Sequence, residues 1–252
     1  MLILLSPAKT ISEGSTDKLE MSTPIYEKEA RQLAFEMSGK DPKDLSLELG
    51  ISPELALEVH RTYMEYGEAP LMSAIHAYDG IVYKYLKPAE LSPNVYQRLC
   101  DRVRMTSFLY GYLRPRDGIR PYRMEGKVRT QLNEGGTMFA FWRDRLTNTL
   151  IHDAQERGGR LLYLASEEMK KLFDWKRVER EVEIFYPSFK VRRGNGLKQI
   201  VVYTKMMRGM MCRTALEQDW KGTDEEMSAF GAEIDAQVKV ESKAHTFTYI
   251  LG

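Results

Sequence analysis

The sequence predicts an α+β fold: a mixed α/β sheet with a helical region inserted after the first strand. Three observations predict it. Apolar or alternating runs that suit strands stand at the amino end and in the last third. Segments with helical spacing and proline-marked starts cluster between them. The chain has 252 residues, 43% of them hydrophobic, with 14 Tyr, 9 Phe and 3 Trp. That is enough apolar surface for one domain over 1–252 with a sizeable core, and it excludes a disordered, collagen-like or coiled-coil chain.

Residues 2–5 (Leu-Ile-Leu-Leu) form a continuous apolar run that stops at Ser6-Pro7, which reads as a short buried strand. Tyr26, Ala30, Leu33, Ala34 and Met37 have helical spacing over 25–38. Asp41-Pro42, Ser52-Pro53 and Ser92-Pro93 each pair an N-cap side chain with a first-turn proline, announcing helices near 42–49, 53–66 and 93–109. Pro115, Gly118 and Pro121 make 112–125 an ordered loop, anchored by Tyr112, Leu113, Ile119 and Tyr122. Phe141, Leu146 and Leu150 share one face of a helix over 139–153, which Gly158-Gly159 ends. A strand follows over 160–165. Runs over 182–191 and 198–204 flank Gly194-Asn195-Gly196 and predict a β-hairpin. Residues 205–219 turn helical, and Val238, Val240, Phe247, Tyr249 and Leu251 predict one or two closing strands.

Met1 to Leu5 is too short, and too soon broken by Ser6, Pro7 and Lys9, for a signal peptide. No run approaches the roughly 18 apolar residues of a membrane span. Cys100 and Cys212 stand alone, so a reducing cytoplasm is expected. The net charge is +1, but its distribution is uneven. Residues 98–129 carry a net +6 and residues 190–213 a net +7 with no acid, leaving −12 on the rest. If the two segments meet they form a patch for a polyanion; if not, they are two solvated faces.

Five motifs bear on chemistry. Over 41–66, Gly50, Ile51 and Ser52 sit at the turn of a helix-hairpin-helix-like element, with Ala56 at the close-packing position. Outward amides at 52–55 would bind a phosphate at the positive end of the helix. An ordinary hairpin with Gly50 as C-cap explains the same residues. Ser6-Pro7-Ala8-Lys9-Thr10 follows the first strand, where Ser6 and Lys9 stand as a nucleophile and base one turn apart, or as a polar strand end facing a cleft. Tyr110, Tyr112, Tyr122, Arg114 and Arg123 interleave rings with guanidinium groups, which suits stacked bases and phosphates as well as a core-anchored loop. Lys205, Arg208 and Arg213 lie among methionines that are ordinary core filling. Glu167-Glu168 at a strand end would serve acid–base chemistry or favour a helix start. His60, His76, His152 and His245 show no metal-ligand spacing.

Ser6 to Thr10, Tyr110-Gly111 with Leu113-Arg114-Pro115, Pro121-Tyr122-Arg123, Phe141-Trp142, Leu164-Ala165-Ser166 and Arg208-Gly209, in this order, resemble the YaaA peroxide-stress protein family from residue 1 to about 230. The resemblance implies a cytosolic bacterial protein that protects against hydrogen peroxide, with lower free iron and less oxidative DNA damage. It implies DNA binding through a helix-hairpin-helix element and a positive cleft on an unusual mixed α/β fold. Carried over position by position, the cleft groups are Ser6, Lys9, Thr10, Arg114, Arg123, Lys205 and Arg208. Glu167 stands where the family more often shows aspartate.

The first expectation is therefore a protein that binds duplex or distorted DNA, largely without sequence specificity, through a positively charged cleft. Its contacts are Gly50, Ile51, Ser52, Arg104, Arg114, Arg116, Arg120, Arg123, Lys198, Lys205, Arg208 and Arg213, beside a cleft of Ser6, Lys9 and Thr10. The alternative is an enzyme acting on a nucleotide or nucleobase, with Ser6, Lys9, Glu167, Lys205 and Arg208 in a polar cleft. Neither needs a cofactor, a metal or a membrane, and a monomer is expected.

Overall fold

The computed structural model describes residues 1–12, 20–194, 196–241 and 245–252. β1 (Leu2–Leu5) is buried at every position, as its unbroken apolar run requires. After it come α1 (Glu27–Ser38), α2 (Pro42–Leu49), α3 (Pro53–Met64), β2 (Met72–Ser73), α4 (Ala74–Ala77), α5 (Ile81–Leu86) and α6 (Pro93–Arg102). The middle of the chain holds β3 (Val103–Ser107), β4 (Gly111–Leu113), β5 (Gly118–Ile119), β6 (Arg129–Thr130), β7 (Gly136–Thr137), α7 (Met138–Glu156) and β8 (Arg160–Tyr163). It closes with α8 (Trp175–Glu181), β9 (Glu183–Arg193), β10 (Gly196–Lys198), α9 (Val201–Glu217), α10 (Asp224–Glu233), β11 (Ala236–Glu241) and β12 (Thr246–Leu251).

The main sheet runs β11-β12-β9-β8-β1-β3-β4, with β10 folded back onto β9. β1 lies between β3 and β8 and is parallel to both; β8 and β12 are parallel to β9. The outer pairs β3–β4 and β11–β12 are antiparallel. The α+β class with a mixed sheet and a helical insertion after β1 is therefore what the chain forms. Because β1, β3 and β8 run the same way, their carboxyl ends open on one edge, where open parallel sheets bind ligands.

Most predicted elements stand within a few residues of their expected bounds. Asp41 accepts from the Lys43 amide at 2.8 Å and starts α2; Ser52 accepts from the Leu55 amide at 3.3 Å and starts α3. Ser92 begins α6 without such a bond.

Two readings need correction. The helix expected over 93–109 ends at Arg102, because Val103–Ser107 enters the sheet beside β1 and is buried throughout. The second hairpin arm stops at Lys198, and 201–204 open α9. Val201 and Val202 are exposed on the first turn, where β-branching costs a helix little, while Thr204, Met207 and Met211 below them are buried. The hairpin itself forms, with Gly196 opposite Arg193; Asn195 lies outside the described residues.

α5 packs along α9. Gly209 allows it: a Cβ there would stand 2.2 Å from the Val82 carbonyl oxygen and 2.8 Å from Tyr85 Cβ. Among the described residues no helix is long and apolar enough to cross a membrane.

Candidate functional site

A cleft of about 460 Å³ opens at the carboxyl ends of β1, β3 and β8. Ser6, Lys9 and Thr10 enter it after β1, Phe108 after β3, and Ser166 and Glu168 after β8. α5 contributes Val82 and Tyr83, the loop after β5 contributes Tyr122, Arg123 and Glu125, and α9 contributes Lys205 and Arg208.

The strand ends are tied together. Ser6 Oγ accepts the Ser166 amide at 2.8 Å, and its carbonyl accepts the Tyr83 hydroxyl at 2.7 Å. Tyr163 donates to the Ser166 carbonyl at 2.6 Å. These bonds hold two loops from separate strands in register, which is how a rigid sheet positions a site. The Tyr122 ring lines the cleft, while its hydroxyl lies 2.7 Å from both the Ser107 and Tyr78 hydroxyls. Burial pushes its pKa up to about 12, so it stays a neutral wall.

The charges divide into paired and unpaired. Lys9 Nζ bonds Glu125 at 2.8 Å, with Arg123 3.8 Å from the same carboxylate. Lys84 holds Asp79 at 3.1 Å. Lys205 and Arg208 have no ion-pair partner among the described residues, and Arg208 Nε is buried without a hydrogen bond. Burial lowers the Arg208 pKa from its ordinary value, opposed by Tyr163 and Glu167. Arg208 is half-buried on the cleft wall, so its unpaired guanidinium is accessible from the cleft.

A second groove of about 800 Å³ adjoins the cleft and shares Lys9, Thr10, Tyr122 and Arg123 with it. Its outer wall carries Glu58, Glu65 and Glu68.

With this geometry in view, the relationships are plain. The family model described as peroxide stress protein YaaA matches residues 1–235. The chain belongs to that family. It is 43% identical over 249 residues to a UPF0246 protein of Bacteroides thetaiotaomicron, covering 96% of each chain. A UPF0246 protein of Porphyromonas gingivalis is 44% identical over 238 residues, covering 92% of this chain and 93% of its own. One from Ruegeria sp. is 34% identical over 244 residues, covering 94% and 96%. The YaaA family model stops just before β11, near where the resemblance read from motifs ends.

The structure gathers Ser6, Lys9, Thr10, Arg123, Lys205 and Arg208 into one cleft, so the two basic segments do meet there. It disperses the others. Arg104 is 4% exposed and bonds Asp153 at 2.7 Å, so it is a core ion pair. Arg114 grips buried Asp117 at 2.8 Å and the Thr23 carbonyl at 2.6 Å. Arg120 reaches the Gly67 carbonyl at 3.4 Å and lies over the Tyr66 ring at 5.8 Å. Arg213 bonds Glu217 at 2.8 Å and the Leu86 carbonyl at 3.3 Å. Arg116 is half-buried outside the cleft wall, and Lys198 is exposed on the hairpin.

Gly50, in the left-handed region, caps a helical hairpin. The start of α3 is already filled: Ser52 takes the Leu55 amide, and Glu54 is held below its ordinary pKa by its own amide and by Ser52. The amides at 52–55 are thus less free than the motif suggested.

Ser6 and Lys9 do not form a nucleophile–base pair, since Lys9 is committed to Glu125. Glu167 is committed to Lys170 at 2.9 Å; Glu168 beside it lines the cleft and has no partner among the described residues. Sequence reasoning missed Asp79, Tyr83 and Glu125 as cleft residues. The Ile11–Tyr78 bridge and the Asp79 amide on the Thr10 carbonyl bring Asp79 there, Tyr83 bonds the Ser6 carbonyl and Glu125 bonds Lys9, and no local motif encodes these contacts. Among the described residues no three His, Cys, Asp or Glu side chains are grouped to hold a metal ion.

Proposed function

We propose that the chain binds DNA during peroxide stress, holding a distorted or single-stranded stretch by its phosphates in this cleft. One observation carries the reading. Arg123 from the first basic segment and Lys205 with Arg208 from the second line the same cavity, and the last two lack counter-ions. A volume of about 460 Å³ suits one nucleotide and is far too small for a duplex. Contacts made through phosphates carry no base preference.

The test is a salt-titrated fluorescence anisotropy curve with single-stranded and nicked oligonucleotides. Two phosphate charges neutralised by Lys205 and Arg208 predict a slope of roughly −1.4 in log affinity against log salt for a single strand. Lys205→Glu with Arg208→Glu is expected to abolish binding. A flat salt response, or binding that survives the double reversal, would refute the reading.

A second reading, an enzyme acting on a nucleotide, has its own support. Glu168 is exposed and unpartnered beside the Ser6 hydroxyl and the two free cations, where a carboxylate could exchange a proton with a bound ligand. Mass spectrometry of nucleotides incubated with the protein and with Glu168→Gln checks it. Unchanged nucleotides in both would leave it without support.

A further inference from the structure

We infer that the phosphate held in the cleft is a terminal one: a phosphate monoester, on a strand end or a free nucleotide, rather than a diester within a chain. This rests on the nucleotide-binding reading above and names its ligand more closely.

Two independent observations lead to it. The first is the unspent hydrogen-bonding capacity on one face of α9. Thr204 is 5% exposed and its hydroxyl has no partner; Arg208 Nε, one turn later, is also buried without one. Positions i and i+4 lie on the same helix face. Buried polar atoms are nearly always satisfied, and of these two Arg208 lines the cleft, so its guanidinium is the one a ligand there can complete. Lys205, unpaired, adds a second full charge at the cleft. A monoester brings about −1.5 to −2 charge and three terminal oxygens, whereas a diester brings a single charge. Lys9, Arg123, Lys205 and Arg208 against Glu125 and Glu168, with Asp79 paired to Lys84, leave the wall with two positive charges in excess, which match the former.

The second observation is the exit. The cleft continues past Lys9 and Arg123 into the groove walled by Glu58, Glu65 and Glu68, all exposed. A strand continuing that way would set its next phosphate against three carboxylates. Repulsion of like charge there favours a chain that ends in the cleft.

The experiment compares one oligodeoxynucleotide in three forms, with a 5′-phosphate, with a 3′-phosphate and with hydroxyl ends. Adenosine monophosphate and inorganic phosphate serve as competitors. A phosphorylated end is expected to tighten binding about tenfold, as a charge-assisted contact would. Arg208→Gln is expected to erase that gain, and Lys205→Gln to reduce it several-fold. Glu58→Gln, Glu65→Gln and Glu68→Gln together are expected to narrow the difference by admitting internal diesters. Circular dichroism checks that each variant is folded.

Equal, salt-dependent binding of all three forms would overturn the inference and leave strand binding standing. Competition by the nucleotide without any oligonucleotide binding would overturn strand binding and keep the monoester. A phosphate preference that persists in folded Arg208→Gln would remove the assignment to this site.

Discussion

Removing Asp153 should destabilise the protein strongly, and the size of the loss follows from what it holds. Arg104 lies in β3 with 4% exposure, and its guanidinium reaches Asp153 at 2.7 and 3.4 Å. The same group donates to the Cys100 and Val103 carbonyls at 3.1 and 2.7 Å. Tyr112 also donates to Asp153, at 2.8 Å. Asp153→Ala would leave a buried guanidinium without a counter-charge, which costs about 3–5 kcal/mol. For a chain of this length that corresponds to a fall in Tm of very roughly 6–20 °C. Arg104→Met leaves Asp153 still bonded to Tyr112 and Arg157, so its cost should be smaller, about 1–2 kcal/mol. Arg104→Met with Asp153→Leu should recover part of the loss, because apolar groups replace the buried pair without leaving a bare charge, while the buried Tyr112 hydroxyl loses its acceptor. Urea denaturation measures this as a shift in midpoint with the slope unchanged. The pair also decides between two roles for Arg104: Arg104→Met should leave the DNA affinity proposed above unaltered. A loss below about 1 kcal/mol in Asp153→Ala would refute the burial argument. So would weakened DNA binding by Arg104→Met at unchanged stability.

Gly209→Ala should destabilise by about 2–3 kcal/mol, although alanine is the better helix former by about 1 kcal/mol, because its Cβ would collide with α5. A stabilised variant in denaturant titration would show that α5 and α9 separate easily. Asp219 has its folded pKa lowered from 3.8 to about 2, chiefly by the Lys221 bond and then by Arg102. A depressed carboxylate stabilises the fold above its unfolded pKa and loses that contribution as pH falls through the folded value. With 40% of the side chain exposed, the contribution is about 1 kcal/mol or less. Asp219→Asn should therefore be less stable than the parent near neutral pH and converge with it by about pH 2; a constant gap would refute the linkage.

The parts of the fold legible in the sequence are those in which one local signal meets no competitor. β1 is a short apolar run closed by Ser6-Pro7, and α2 and α3 open on capping side chains followed by proline. β3 was hidden because 93–107 keeps apolar residues at helical spacing, and only the vacant edge of β1 draws Val103 into the sheet. The tie between Ser6 and Ser166 spans 160 positions, so the floor of the cleft could be read only as two separate strand ends.

The fate of the arginines shows what a charge count leaves out. In the first basic segment, acids and carbonyls from elsewhere were waiting. Arg98 turns to the Leu216 carbonyl at 2.6 Å, Arg102 to Trp220 at 3.1 Å, Arg104 to Asp153 and Arg114 to Asp117. Those guanidinium groups stitch elements together and leave only Arg123 at the cleft, itself beside Glu125. In the second segment no acid occurs over 190–213, and α9 carries Lys205 and Arg208 past the carboxyl ends of β1 and β8, where no carboxylate pairs with them among the described residues. A base becomes available to a ligand when the fold denies it a partner, not when the sequence merely supplies it. Lack of a partner together with a place on the cleft wall selects Lys205 and Arg208 from the sixteen bases in the two segments. It also explains why Arg208, rather than the more arginine-rich loop over 112–125, is where a charge reversal should cost the protein its ligand.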